Sequence, residues 1–86
     1  MYQAYFTKQA AKSFKKIPKE FQLKIKASIL KLEKNALTRG TIKLLNYPVA
    51  EYRKRVGDYR ILFDIDEEKK ILIIADIRRR TTTTYQ

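Results

Sequence analysis

Neither cysteine nor histidine occurs anywhere in this 86-residue chain. Without cysteine there is no disulfide and no thiolate metal site. Without histidine, the commonest metal ligand and the usual general base near neutral pH are both missing. Glycine is scarce, with two residues, and neither a glycine-rich phosphate loop nor a serine-nucleophile motif can be found. No run of about 18 apolar residues exists, which argues against a membrane span. The first residues read as a strand and lack the apolar block of a signal peptide, so the expectation is a cytoplasmic protein.

What the chain has in abundance is positive charge. Twenty lysines and arginines stand against nine acidic residues, a net charge of +11. Such an excess points to a polyanionic partner: nucleic acid, a ribosome or an acidic protein. Basic amphipathic segments also bind anionic membranes, but the regular strand pattern of the second half speaks for a folded domain. A domain of this length buries only about 60–65% of its unfolded surface. Nearly every apolar residue is therefore needed for one core, and residues 1-86 read as a single domain. The two basic residue types are segregated: lysines fill the first half, while all seven arginines lie from Arg39 onward. Lysine serves general solubility, whereas clustered arginine looks more like recognition.

The most informative stretch is Glu51 to Phe63, E-Y-R-K-R-V-G-D-Y-R-I-L-F. Two runs rich in aromatic and β-branched residues flank Gly57-Asp58, a hairpin signal. With those two as the loop, Val56 faces Tyr59, Arg55 faces Arg60 and Arg53 faces Leu62. Strand periodicity then puts Arg53, Arg55 and Arg60 on one face. Like charges opposite one another across strands repel. A solvated outer face would tolerate them; a phosphate-binding platform would use them, because arginine forks match phosphate oxygens.

From the N-terminus, Tyr2 to Phe6 reads as a strand and Thr7 as a helix N-cap. Ala10, Ala11, Phe14 and Ile17 fall at helical spacing. Pro18 ends that helix and opens a second, running to about Asn35. The second helix carries two apolar stripes, Phe21-Ile25-Ile29-Leu32 and Leu23-Ala27-Leu30. The expectation is that one packs on the sheet and the other on the first helix. Asn35 to Gly40 is a loop, Ile42 to Leu45 a short apolar segment, and Asn46-Tyr47-Pro48 a turn. After the hairpin, Asp66 to Lys69 forms another turn. Ile71 to Ile77 is an apolar run of strand length, and Arg78 to Gln86 an extended tail. The predicted fold class is α+β. Two N-terminal helices cover one face of an antiparallel sheet, in the order strand-helix-helix-strand-strand-strand. The other face carries the arginines.

The acids Asp64, Asp66, Glu67, Glu68 and Asp76 show no metal-like spacing, and three of them sit in a turn. Arginines and Tyr85 remain. This set can still cleave RNA, because the ribose 2′-hydroxyl can attack the adjacent phosphate when held in line. Cationic forks then stabilise the charge growing on the phosphoryl oxygens. Arginine stays protonated and is a poor proton acceptor. A nearby tyrosine could be the base or could stack on a nucleobase, and clustered arginines favour its phenolate.

The segment Y-R-K-R-V-G-D-Y-R-I-L-F-D-I, then an apolar strand, a basic cluster and a near-terminal tyrosine, resembles the RelE/ParE toxin superfamily. The resemblance spans essentially the whole chain and is strongest from Tyr52 to Ile65. It implies a RelE-like fold and, for a RelE-type member, a toxin of a type II toxin–antitoxin system. Such a toxin enters the ribosomal A site, cuts mRNA there without cofactor or metal, and is blocked by a cognate RelB-like antitoxin. By position, Arg53 and Arg55 match the family's basic pair, Arg60 the arginine after the turn, Tyr85 the C-terminal catalytic tyrosine and Arg79 the arginine six residues before it. The Thr81–Thr84 run leaves two registers open, so that either Arg79 or Arg80 is that arginine. Lys54, Arg78 and Arg80 are expected to contact RNA, Lys54 from the sheet rim by snorkelling. The sequence departs from the family in having only arginines where a histidine or lysine often stands. An antitoxin segment is expected on the exposed helix stripe or over the arginines. Two alternatives remain: a ParE-like inhibitor of DNA gyrase without nuclease activity, and a member that only binds RNA.

Overall fold

Thr7 ends one element and begins the next. Its backbone N–H donates to the Ile74 carbonyl (3.0 Å) and its hydroxyl to the Ala75 carbonyl (2.9 Å). The same hydroxyl accepts the Ala10 N–H (3.1 Å), the N-cap bond that satisfies an orphan donor of a helix start. In this computed structural model, which describes residues 1–36 and 41–79, β1 (Gln3–Phe6) therefore passes directly into α1 (Lys8–Lys15). Pro18 then caps α2 (Lys19–Lys34), as a residue with fixed φ and no N–H to lose can. Four strands follow: β2 (Thr41–Lys43), β3 (Tyr52–Val56), β4 (Tyr59–Asp66) and β5 (Ile71–Arg79).

The sheet order is β1-β5-β4-β3-β2. The strands from β2 to β5 are antiparallel neighbours, and β1 joins β5 in parallel. Several features of the sheet differ from the sequence reading, and one is that β5 continues through Arg78 and Arg79, which the sequence assigned to an extended tail. Part of the Ile42 to Leu45 segment is a short edge strand, because Ile42 lies opposite Arg53 in β3. The sheet is also mixed, because the helical pair returns the chain to its far edge in the direction that parallel pairing requires.

Both helices lie on one face. Phe63, Ile61, Leu72, Ile74, Ile25 and Leu32 are its fully buried large side chains. Tyr59 completes this layer, its ring 5.4 Å from that of Phe21. At about 25 cal/mol per Å² such burial is the main stabilising term. Of the two stripes on α2, Phe21-Ile25-Ile29-Leu32 turns inward as expected. The other does not meet α1: Leu23 and Leu30 are 68% and 60% exposed. The short α1 packs along β5, and the helices meet near the Pro18 turn instead. There Gln22 Nε2 donates to the Phe14 and Ile17 carbonyls (2.9 Å each), and the Lys26 ammonium sits over the Phe14 ring.

The hairpin register is the expected one: Val56 opposite Tyr59, Arg55 opposite Arg60, Arg53 opposite Leu62. Gly57 takes φ +58°, the left-handed conformation that hairpin turns ask of glycine. β4 and β5 run without a break except for a register shift after Leu62, where Ala75 is left unpaired. This bulge inverts the facing of β5: Leu72 and Ile74 point to the helices before it, and Ile77 after it. Arg80 and Tyr85, with Gly40 and the Thr81–Thr84 run, lie outside the described residues.

Gly57→Ala tests the turn. No atom lies within 4 Å of the added methyl, so any loss comes from backbone strain alone. The expected cost is about 1 kcal/mol, read as a lower urea midpoint with an unchanged slope.

Candidate functional site: an arginine row on the open face of the sheet

The face of β3, β4 and β5 turned away from the helices carries four arginines. Arg55 lies opposite Arg60, and Arg60 lies opposite Arg78. Three guanidinium-bearing residues thus form one row across three adjacent strands, which are spaced about 4.8 Å apart. The neighbouring row on the same face runs Arg53, Leu62, Asp76. At ~5 Å in water each like-charged pair costs on the order of 1 kcal/mol. The strand pairing and the helix-side core hold the row together despite that repulsion.

Asp76 is the acid within these rows. It is buried beside the open edge of β5, where α1 passes after β1 has ended. One carboxylate oxygen accepts from the Ser13 hydroxyl (2.6 Å) and the Ile77 N–H (2.8 Å). The other accepts from Arg78 Nε (2.9 Å). Burial by itself pushes the Asp76 carboxyl up. The bonds from Ser13, Arg78 and Ile77 outweigh it and hold the group below its ordinary value. The same ion pair raises Arg78 further above its ordinary range. Arg78 also donates through NH1 to the Tyr47 hydroxyl, so its side chain is fixed at both ends of the guanidinium.

The sequence-derived candidates are distributed as follows. Arg53, Arg55 and Arg60 share the open face with Arg78. Arg79 lies opposite Tyr59 and takes the other parity, toward the helix side. The bulge is the reason: had alternation continued unbroken from Leu72 and Ile74, Arg79 would have joined the arginine face in place of Arg78. Lys54 lies opposite Ile61 in the helix-side layer, where burial first, then the nearby Lys31 charge, lowers its pKa. It stands in a different layer from the arginines. Sequence reading missed Asp76 and Tyr47, which act on Arg78 from two residues and 31 residues away. Asp76 had only its place inside an apolar run as a signal, and Tyr47 had none. Among the described residues no group of three or more His, Cys, Asp or Glu is arranged to hold a metal ion.

Such a row can grip a phosphate oxygen from several donors at once and stabilise charge that develops on it. Asp76 is the point on which its geometry can be tested. Asp76→Asn should cost about 1.5–3 kcal/mol at neutral pH, the worth of hydrogen bonds to a buried charge. Because the folded pKa is depressed, the carboxylate's contribution is complete above its ordinary value of 3.8. It is lost as the pH falls through the lower folded value. Urea unfolding of both proteins across that range should show their difference narrowing in acid.

A family model described as the ParE toxin of type II toxin–antitoxin systems matches residues 4–83. Comparison with curated protein sequences returns no match. Among solved structures, the chain is similar to the toxin–antitoxin complex RelBE2 from Mycobacterium tuberculosis. That likeness has 25% identity and a TM-score of 0.82, covering 92% of this chain and 98% of that one. An archaeal RelE–RelB complex from Pyrococcus horikoshii matches at 26% identity and a TM-score of 0.80, covering 95% and 98%. The isolated E. coli RelE toxin shares the fold at 16% identity and a TM-score of 0.81, covering 99% of this chain and 90% of that one. With an α+β fold of the RelE kind and a family match over nearly its whole length, the chain belongs to the RelE/ParE superfamily, as a toxin of a type II toxin–antitoxin system.

Proposed function

We propose that this toxin is a ribosome-dependent mRNA endoribonuclease of the RelE type, cutting within the A-site codon. The observation that carries the proposal is the row Arg55–Arg60–Arg78, with Arg53 beside it, on paired strands. The 2′-hydroxyl gives up its proton and attacks the adjacent phosphorus, the bond to the 5′-oxygen breaks, and that oxygen takes up a proton from water, leaving a 2′,3′-cyclic phosphate and a 5′-hydroxyl. No metal is needed, because the nucleophile comes from the substrate and the arginines carry the electrostatic work. Arg60, at the centre of the row, stabilises the charge on the phosphoryl oxygens together with a β5 arginine. Arg53 and Arg55 hold the RNA backbone. Tyr85 orients or activates the 2′-hydroxyl. For the β5 position, register favours Arg78, while spacing from Tyr85 favours Arg79 as the family's catalytic arginine. Lys54 and Arg80 supply further charge for RNA.

The cognate antitoxin is RelB-like, as in the complexes of similar structures. It covers the arginine face or the lysine-flanked stripe of Leu23, Ala27 and Leu30. A ribosomal target places the protein in the cytoplasm.

The test is primer extension on mRNA in a purified translating system, with ribosomes stalled at a defined A-site codon. Wild type should cut within that codon. Arg60→Ala should cut about 10²–10³-fold more slowly, the usual effect of removing one donor to a developing oxyanion. Tyr85→Phe should also be slower. Running Arg78→Ala beside Arg79→Ala decides which arginine serves from β5. Intact mRNA from folded wild type, together with inhibited gyrase, would overturn the nuclease reading and make the arginine face a protein-docking surface.

A further inference from the structure

The segment that joins β2 to β3, residues 44–51, forms a strap that reaches from its own edge of the sheet to β5 on the arginine side. The strap is closed at its base by Leu44 N–H to the Glu51 carbonyl (2.7 Å). Glu51 N–H ties it to Asp64 Oδ1 on β4 (2.7 Å). Its tip reaches β5, where Arg78 NH1 donates to the Tyr47 hydroxyl. Leu62 and Ala50 are the buried apolar residues that do not belong to the helix-side core. Leu62 lies on the arginine side of β4 and is 3% exposed, on the face that the helices do not cover.

Tyr47 keeps 37% of its surface exposed. Its far end is pinned by Arg78, which is itself held by Asp76, and Asp76 is held by Ser13 and Ile77 N–H. The backbone enters this position through Asn46 at φ +54°. An aromatic side chain is thus held by its hydroxyl beside a row of arginines, in a residue that stays partly open to solvent.

We propose that Tyr47 is a nucleobase subsite: its ring stacks on an unpaired base of a single-stranded RNA whose phosphate is held by the arginine row. This rests on reading that row as an RNA-binding surface. Every base offers a π-face, and base–aromatic stacking adds affinity without demanding a particular sequence. Because the phenol is already immobilised, little side-chain freedom remains to be lost on binding.

The chain has no tryptophan, so Tyr47→Trp places a single indole reporter at the site. Its emission is followed at low salt as a short single-stranded RNA is added, and separately as inorganic tripolyphosphate is added. In parallel, binding of labelled RNA and of tripolyphosphate is measured for wild type, Tyr47→Phe and Tyr47→Ala. The expected result is quenching by RNA and little change with tripolyphosphate. Tyr47→Ala should lose about tenfold in RNA affinity and little in tripolyphosphate affinity. Tyr47→Phe keeps the ring but loses the bond from Arg78, so its RNA affinity should fall between those of wild type and Tyr47→Ala. Equal RNA affinity for Tyr47→Ala and wild type, or an indole that responds alike to both ligands, overturns the base subsite while leaving the arginine reading intact. A wild-type protein that binds no RNA overturns both. Should Tyr47→Ala fail to fold, the indole titration still decides.

Discussion

The two-sided alternation of β4 is the constraint on which the rest of the molecule depends. Tyr59, Ile61 and Phe63 point to the helices and are buried, while Arg60, Leu62 and Asp64 point the other way. β4 pairs with β5 along its length and with β3 from Tyr59 to Phe63, so both layers are set by one strand. The helix-side layer supplies the burial that keeps the strands paired. That pairing in turn forces Arg55, Arg60 and Arg78 into a row their charges would not choose. Moving β4 by one residue would put Arg60 in the core and Phe63 in water, so the register of the charged row is protected by the cost of misplacing the apolar one.

Electrostatics on the open face is organised by one carboxylate and one phenol. Asp76 reduces the repulsion in the rows, but its larger effect is directional. It turns the Arg78 side chain back along the sheet, and Tyr47 takes up the other side of the guanidinium. Ser13 makes this arrangement answer to the position of α1, since its hydroxyl holds the same carboxylate. Thr7 fixes α1 in turn, by bonding the bulge at Ala75 just before Asp76. The helix layer and the arginine face are therefore linked around the edge of β5, as well as through the core.

Local signals in the sequence were reliable because their causes are local. The Gly57-Asp58 turn determines the hairpin register, Thr7 caps α1 with an atom of its own, and Pro18 separates two helices through its missing N–H. What escaped the sequence depends on residues far apart. The parallel pairing of β1 with β5 joins segments near the two ends of the described chain. The exposure of Leu23 and Leu30 follows from where a short α1 was drawn, and helix periodicity cannot report that. The Arg78–Tyr47 bond depends on a strap whose path only the folded sheet defines. The one-residue bulge at Ala75 exchanges the facing of Arg78 and Arg79, and a run of apolar residues contains no sign of it.

The separation of lysine from arginine along the chain acquires a physical meaning in the fold. Lysines stud the exposed sides of α1 and α2, on flexible stems with strongly hydrated heads. They raise the positive field around the protein, which reaches about a Debye length, ~8 Å at physiological salt. Arginines occupy strands, where the backbone cannot yield and the planar fork can be aimed. On the proposed function, attraction without direction would come from the helices and directed contact from the sheet. A surface that only had to be attractive would have no use for Asp76, which removes charge from the face. Buried and bonded through both oxygens, Asp76 gives up one unit of net positive charge on this face and fixes the direction in which Arg78 presents its own.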